Sequence, residues 1–136
     1  MRYAPYEQEY VEAAALDDSQ RLEYFLTRVF ETEEVWGLDD GAEWVMRDRQ
    51  TAEKSLLVWP YQKYAVEAAE GPWRALEAQA ESLECFISNT LEMLIDENAV
   101  IEIMGQENKL GCIISPHRLL SILTGMIDAG EYTLDG

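Results

Sequence analysis

Acid–base, nucleophilic and metal chemistry draw on a few residue types, and this chain is poor in most of them. His117 is the only histidine, so neither a His-based metal cluster nor a His-Glu-x-x-His helix can be assembled. It falls in the first turn of the last expected helix, where a surface or cap-adjacent imidazole is at least as natural as a catalytic one. Ser82, Ser88, Ser115 and Ser121 offer hydroxyls, but no Gly-x-Ser-x-Gly elbow presents any of them. Cys85 and Cys112 stand 27 positions apart among apolar neighbours, without Cys-x-x-Cys spacing, and read as two buried free thiols. Gly105 and Gly111 bracket five residues between strand-like segments. Phosphate loops need glycines leading into a helix N-terminus, so these two read as turn glycines.

Carboxylates are the one abundant chemical group, with 27 acids against 10 bases. Adjacent pairs such as Glu33 with Glu34, Asp39 with Asp40 and Asp96 with Glu97 have the types needed for acid–base work or magnesium. All three fall at expected element ends, where charges are solvated, and so many acids make adjacent pairs common. The expectation is a protein that is not an enzyme, with no catalytic residues, no cofactor and no metal.

The elements that would position these residues follow from periodicity. The run Ser55-Leu56-Leu57-Val58-Trp59-Pro60-Tyr61 carries consecutive large apolar residues without alternation, which suits a central strand covered on both faces and closed by Pro60. A short first helix is expected from Tyr6 to Leu16. Asp18 is placed to cap a second helix, 19–31, with an apolar stripe of Leu22, Phe25, Leu26, Val29 and Phe30. Val35–Leu38 and Glu43–Met46 flank Asp39-Asp40-Gly41 as a hairpin. With the central strand they would form one antiparallel meander.

Tyr61–Ala69 reads as a helix of two to three turns ended by Glu70-Gly71-Pro72, and Trp73–Ala80 as either a short edge strand or a loop. Ser82 caps a helix over 83–95, Val100–Met104 and Cys112–Ile114 form a second hairpin, and Ser115-Pro116 starts a last helix over 116–128. The fold class is therefore α+β: a single-layer, mostly antiparallel sheet of two hairpins plus a central strand, packed with about five helices. One domain spans 1–136 around one core, with the 1–16 helix peripheral and 131–136 a frayed tail.

A formal charge of −17 is spread evenly, with 13 acids and 5 bases in residues 1–50 and 14 and 5 in 51–136. Such a surface repels nucleic acid and anionic membranes; it either maintains solubility or steers the protein toward a cationic partner. The N-terminus lacks a signal-peptide apolar region and no run reaches membrane-span length, so a cytoplasmic location is expected. The four tryptophans, Trp36, Trp44, Trp59 and Trp73, read first as core and second as interface anchors.

The residues Arg21-Leu22-Glu23-Tyr24-Phe25-Leu26, Val35-Trp36-Gly37-Leu38, Trp44, Val58-Trp59-Pro60, Tyr64-Ala65, Trp73, Leu83-Glu84-Cys85-Phe86-Ile87 and Ile114-Ser115-Pro116 with Leu119 form a recognisable pattern. It resembles a family of small bacterial proteins of unknown function, over about residues 20 to 125. Proteins of this kind look like the immunity proteins that accompany bacterial toxins, and the family supplies no catalytic residues.

Three functions follow as expectations. The first is a cytoplasmic binding protein, an acidic immunity protein occluding a basic toxin domain, as monomer or homodimer. Its partner-binding residues would be Glu31, Glu33, Glu34, Asp39 and Asp40, with Trp44 and Trp73 as aromatic candidates. The second is a small ligand-binding or regulatory domain whose pocket lies between sheet and helices. The third is a carboxylate-dependent enzyme. A toxin gene immediately upstream would favour the first; a metabolic operon would favour the others.

Overall fold

Every residue from Ser55 to Tyr61 is buried, and the central strand built from this run divides the interior into two apolar clusters. The computed structural model describes residues 5–13, 15–48, 53–106 and 109–130. In chain order these form α1 (Glu7–Ala13), α2 (Asp18–Thr32), β1 (Glu34–Asp39), β2 (Met46–Asp48), β3 (Lys54–Val58) and α3 (Gln62–Ala68). A 3-10 turn (Gly71–Trp73), β4 (Glu77–Ser82), α4 (Leu83–Cys85), a π-helical segment (Phe86–Thr90) and α5 (Leu91–Asp96) follow. The order then closes with β5 (Val100–Ile103), β6 (Cys112–Ile114) and α6 (Pro116–Asp128). The expected frayed tail, 131–136, lies outside the described residues.

The fold is α+β and mostly antiparallel, with its strands in two sheets. One holds β1 and β4; the other runs β2-β3-β5-β6, with β3 and β5 parallel and the remaining pairs antiparallel. The expected single layer and three-strand meander are corrected here. β1 does not pair with β2 as a ladder but takes β4 across its full length, from Glu34 opposite Ser82 to Asp39 opposite Glu77. The turn after β1 still closes tightly, through an Asp39–Trp44 bridge and a Val45 N–H bond to the Leu38 carbonyl at 2.6 Å. Trp36 and Trp59 exchange two backbone bonds of 2.9 Å each, which ties the two sheets together at one point.

Strand alternation explains why one core became two clusters. Leu56 and Val58 join Phe25, Leu26, Val29, Phe86, Leu94, Ile101, Ile103, Leu119 and Leu123 in one cluster. Leu57 and Trp59 join Ala13, Leu38, Tyr61, Tyr64, Ala65 and Ala68 in the other. Met104 packs against both. α1 and α3 supply helical residues to the second cluster, so α1 is part of the packing and not merely appended.

The helix signals translate closely. The cap of α2 is Asp17, one residue before the expected Asp18, in a reciprocal box with Gln20 at 2.8 and 3.0 Å. Ser82 accepts the Cys85 N–H at 3.1 Å and Ser115 the Arg118 N–H at 3.2 Å, as the sequence predicts. A π-helical segment interrupts the 83–95 helix, a feature that apolar spacing alone does not reveal.

Candidate functional site

A cavity of about 380 Å³ opens where α1, α2 and α3 meet the ends of β3 and β5. Tyr10, Val11 and Ala13 of α1, Arg21 of α2 and Tyr64 and Glu67 of α3 wall it. Trp59, Met104, Gln106 and Lys109 line the sheet side. α1 holds its place through its polar face as well as Tyr10. Glu9 accepts the Tyr24 hydroxyl at 2.6 Å and pairs with Arg28 at 3.2 Å. Tyr10 stacks on Tyr64 with ring centroids 5.5 Å apart, while Tyr24 meets Tyr64 edge-on at 6.1 Å.

The tyrosine hydroxyls form a chain, with 2.8 Å between Tyr24 and Tyr64. Burial pushes the Tyr64 phenol up to about 12 and, with the Glu9 hydrogen bond, drives Tyr24 higher still. Tyr10 is raised as well, chiefly by its hydrogen bond to Glu67. At neutral pH all three are neutral groups that can both donate and accept. Lys63 places its ammonium 4.3 Å from the Tyr10 ring centroid. Arg21, only 11% exposed, gives one guanidinium nitrogen to Asp18 at 2.8 Å. Met104 has φ 59, left-handed backbone for a bulky side chain; such conformations cluster at ligand sites.

A second polar centre lies under the sheet. Glu102 is fully buried and receives Arg47 through two bonds of 2.9 and 3.1 Å, Ser55 at 3.1 Å and the Gly111 amide at 2.9 Å. Arg47 also donates to the Gln106 carbonyl and lies 5.0 Å from the Trp73 ring centroid. Gly105 and Gly111 lie in the connection between β5 and β6, where turn glycines are expected, and the geometry adds a second reason for them. Neither has positive φ; a Cβ on Gly105 would strike the Glu102 carboxylate, and one on Gly111 the Ile103 carbonyl. They are glycines because a carboxylate and a backbone pass so close. Every donor around Glu102 is an internal group, so this centre organises structure.

The acidic residues expected to meet a partner divide between the two ends of β1. Glu31 pairs with Arg28 at 2.8 Å, Glu33 ends α2 in left-handed conformation, and burial raises the Glu34 carboxyl. Asp39 and Asp40 sit at the other end of β1, about 16 Å away by strand rise. Asp39 accepts the Gly41 amide at 2.6 Å, and Asp40 accepts those of Ala42 and Glu43 at 2.9 and 3.0 Å. These backbone bonds hold the Asp40 carboxyl below its ordinary value. Trp44 is half-buried over Gly37, and Trp73 is half-buried beneath Arg47. Among the described residues, the large apolar side chains that stand exposed are Tyr6, Val11, Val66, Met93 and Leu110.

Residues 22–123 match the family described as "Protein of unknown function (DUF2750)". The chain belongs to this family. No curated protein matches it. The family region takes in Trp59, Tyr64, Glu67, Met104, Gln106 and Lys109, whereas Tyr10, Val11, Ala13 and Arg21 precede it. In this member of the family, the outer wall of the cavity is therefore built from residues N-terminal to the matched region. Among the described residues no helix is long and apolar enough to cross a membrane, and no group of three His, Cys, Asp or Glu could hold a metal ion. His117 is exposed in the first turn of α6. Cys85 and Cys112 are free, but only Cys112 is buried; Cys85 is half-buried beside Glu81 and Asn89.

Sequence reasoning located a pocket between sheet and helices but named none of its residues. Trp59 reads along the chain first as core and second as an interface anchor, and Tyr10 and Tyr64 carry no local signal of a site. The one available signal was the number of tyrosines in short helices, where hydroxyls need partners once the rings are buried.

Proposed function

We propose that this chain is a binding module rather than an enzyme, and that the tyrosine-lined cavity is where it binds. The observation that carries the reading is the cavity: about 380 Å³ within one fold, in the range of roughly 300–1,000 Å³ typical of small-molecule sites. Three aromatic rings and a few convergent polar groups are the usual composition of such a site. Among the described residues the lining holds no histidine, cysteine or serine and a single carboxylate, Glu67. That set supports recognition better than acid–base or nucleophilic chemistry.

The test is an aromatic fragment set followed by protein-observed NMR. Resonances of Tyr10, Trp59 and Tyr64 should move together, and Ala13→Phe, which fills the cavity, should abolish the shifts while the protein stays folded. Shifts confined to other surfaces would overturn the reading.

A second reading, an acidic protein that engages a basic partner such as a toxin domain, is favoured by one observation. The acids outnumber the bases by 27 to 10, a formal charge of −17. Neutralising Glu33, Glu34, Asp39 and Asp40 together with Gln or Asn should slow association with a basic partner recovered from cells and flatten its salt dependence. An unchanged rate would remove those four residues from the partner surface.

A further inference from the structure

The charge around the cavity runs against the charge of the molecule. The chain carries 27 acids and 10 bases, yet among the described residues two of those bases, Arg21 and Lys109, line this one cavity beside a single acid. Lys63 stands just outside, over the Tyr10 ring. Glu67 is the one acid among the described residues of the wall. Asp18 takes one nitrogen of Arg21, and a guanidinium has five N–H donors in a fork that matches a carboxylate. The rest of the wall is aromatic and soft: Tyr10, Tyr64, Trp59 and Met104.

We infer that the cavity takes a planar aromatic carboxylate, with its ring within the wall of Trp59, Tyr64, Tyr10 and Met104 and its carboxylate toward Arg21 and Lys109. This rests on the cavity being the binding site, as proposed above. Size agrees: an apolar cavity of about 150 Å³ suffices for benzene, so about 380 Å³ leaves room for a bicyclic ring and an anionic group. A cationic ligand would be drawn to the same ring faces, but Lys63 already occupies one of them at 4.3 Å. The two wall cations would repel it. Excess negative charge over the remaining surface disfavours an anion there, whereas in the cavity it meets Arg21 and Lys109.

Three probes sharing one ring system separate the possibilities: indole-3-acetate, indole and tryptamine, each titrated into the full chain and followed by NMR shifts. Indole-3-acetate should bind at the cavity most tightly and tryptamine most weakly. Arg21→Gln and, separately, the more exposed Lys109→Gln should each weaken indole-3-acetate by about fivefold, the scale of one partly exposed ion pair. Indole affinity should stay unchanged in both. If indole binds at the cavity but the three probes rank equally, or tryptamine leads, the anionic class is wrong while the cavity reading stands. If none of the three shifts Tyr10, Trp59 or Tyr64 at millimolar concentration, both fail.

Discussion

Arg47 on β2 reaches across β3 to clasp Glu102 on β5, two bonds of 2.9 and 3.1 Å joining strands that are not neighbours. The carboxylate is fully buried and the guanidinium-bearing side chain 18% exposed. Taking charges into such a place is costly, and only dense hydrogen bonding offsets the cost. Ser55 and the Gly111 amide supply the rest of it.

Removing one partner should therefore hurt more than removing both. Glu102→Leu alone is expected to cost about 3–5 kcal/mol, because it leaves the Arg47 guanidinium facing apolar surface. The double variant Arg47→Met, Glu102→Leu should recover a substantial part of that loss, although the Gly111 amide stays unsatisfied. A double-mutant cycle by urea denaturation measures this. Strictly additive losses would show that the pair is not coupled.

Core truncations should rank by burial. Phe86, fully buried, is expected to cost about 3–5 kcal/mol as Phe86→Ala; Leu26→Ala and Leu119→Ala about 2–5 kcal/mol. Leu120 is only partly buried against the cluster, so Leu120→Ala should fall below all three. Equal losses at Leu119 and Leu120 would place the buried face of α6 incorrectly.

Gly37 is a packing glycine: a Cβ there would enter the Trp44 ring. Gly37→Ala should displace that indole and destabilise by about 1–3 kcal/mol, the usual range for overpacking. A red shift in tryptophan emission should accompany the loss. No change in emission or midpoint would mean that Trp44 does not rest there.

Alkaline pH should weaken the fold through the tyrosine network. Burial raises Tyr64 from 10.0 to about 12 in the folded state. Between those values the unfolded chain holds fewer protons than the native one, so stability falls as pH rises. It is fully present below pH about 10. Urea midpoints from pH 8 to 11 should decline at the alkaline end, and Tyr64→Phe should flatten the decline while lowering the midpoint at every pH. A decline of equal slope in Tyr64→Phe would assign the effect to other groups.

Local signals in the chain were sufficient for the helices. Ser82, Ser115-Pro116 and the stripe from Leu22 to Phe30 act within a few residues, and α2, the helix starting at Leu83 and α6 stand where those signals place them. The central strand was equally legible, since Leu56 to Trp59 can only be buried on both faces. Pairing was not. β1 and β4 are separated by more than thirty residues, and Glu77–Ser82, with no large apolar side chain, shows its strand character only once β1 is beside it. Glu102 reads along the chain as the polar member of an alternating strand. Only Arg47, Ser55 and two close-packed glycines, brought from distant positions, make its burial tolerable. The cavity is decided at the same level: Tyr10, Arg21, Trp59, Tyr64 and Lys109 lie on five separate segments. Spacing along a chain carries information about neighbours within a helix turn or a strand pair, and a cavity is a relation among elements that do not touch in sequence.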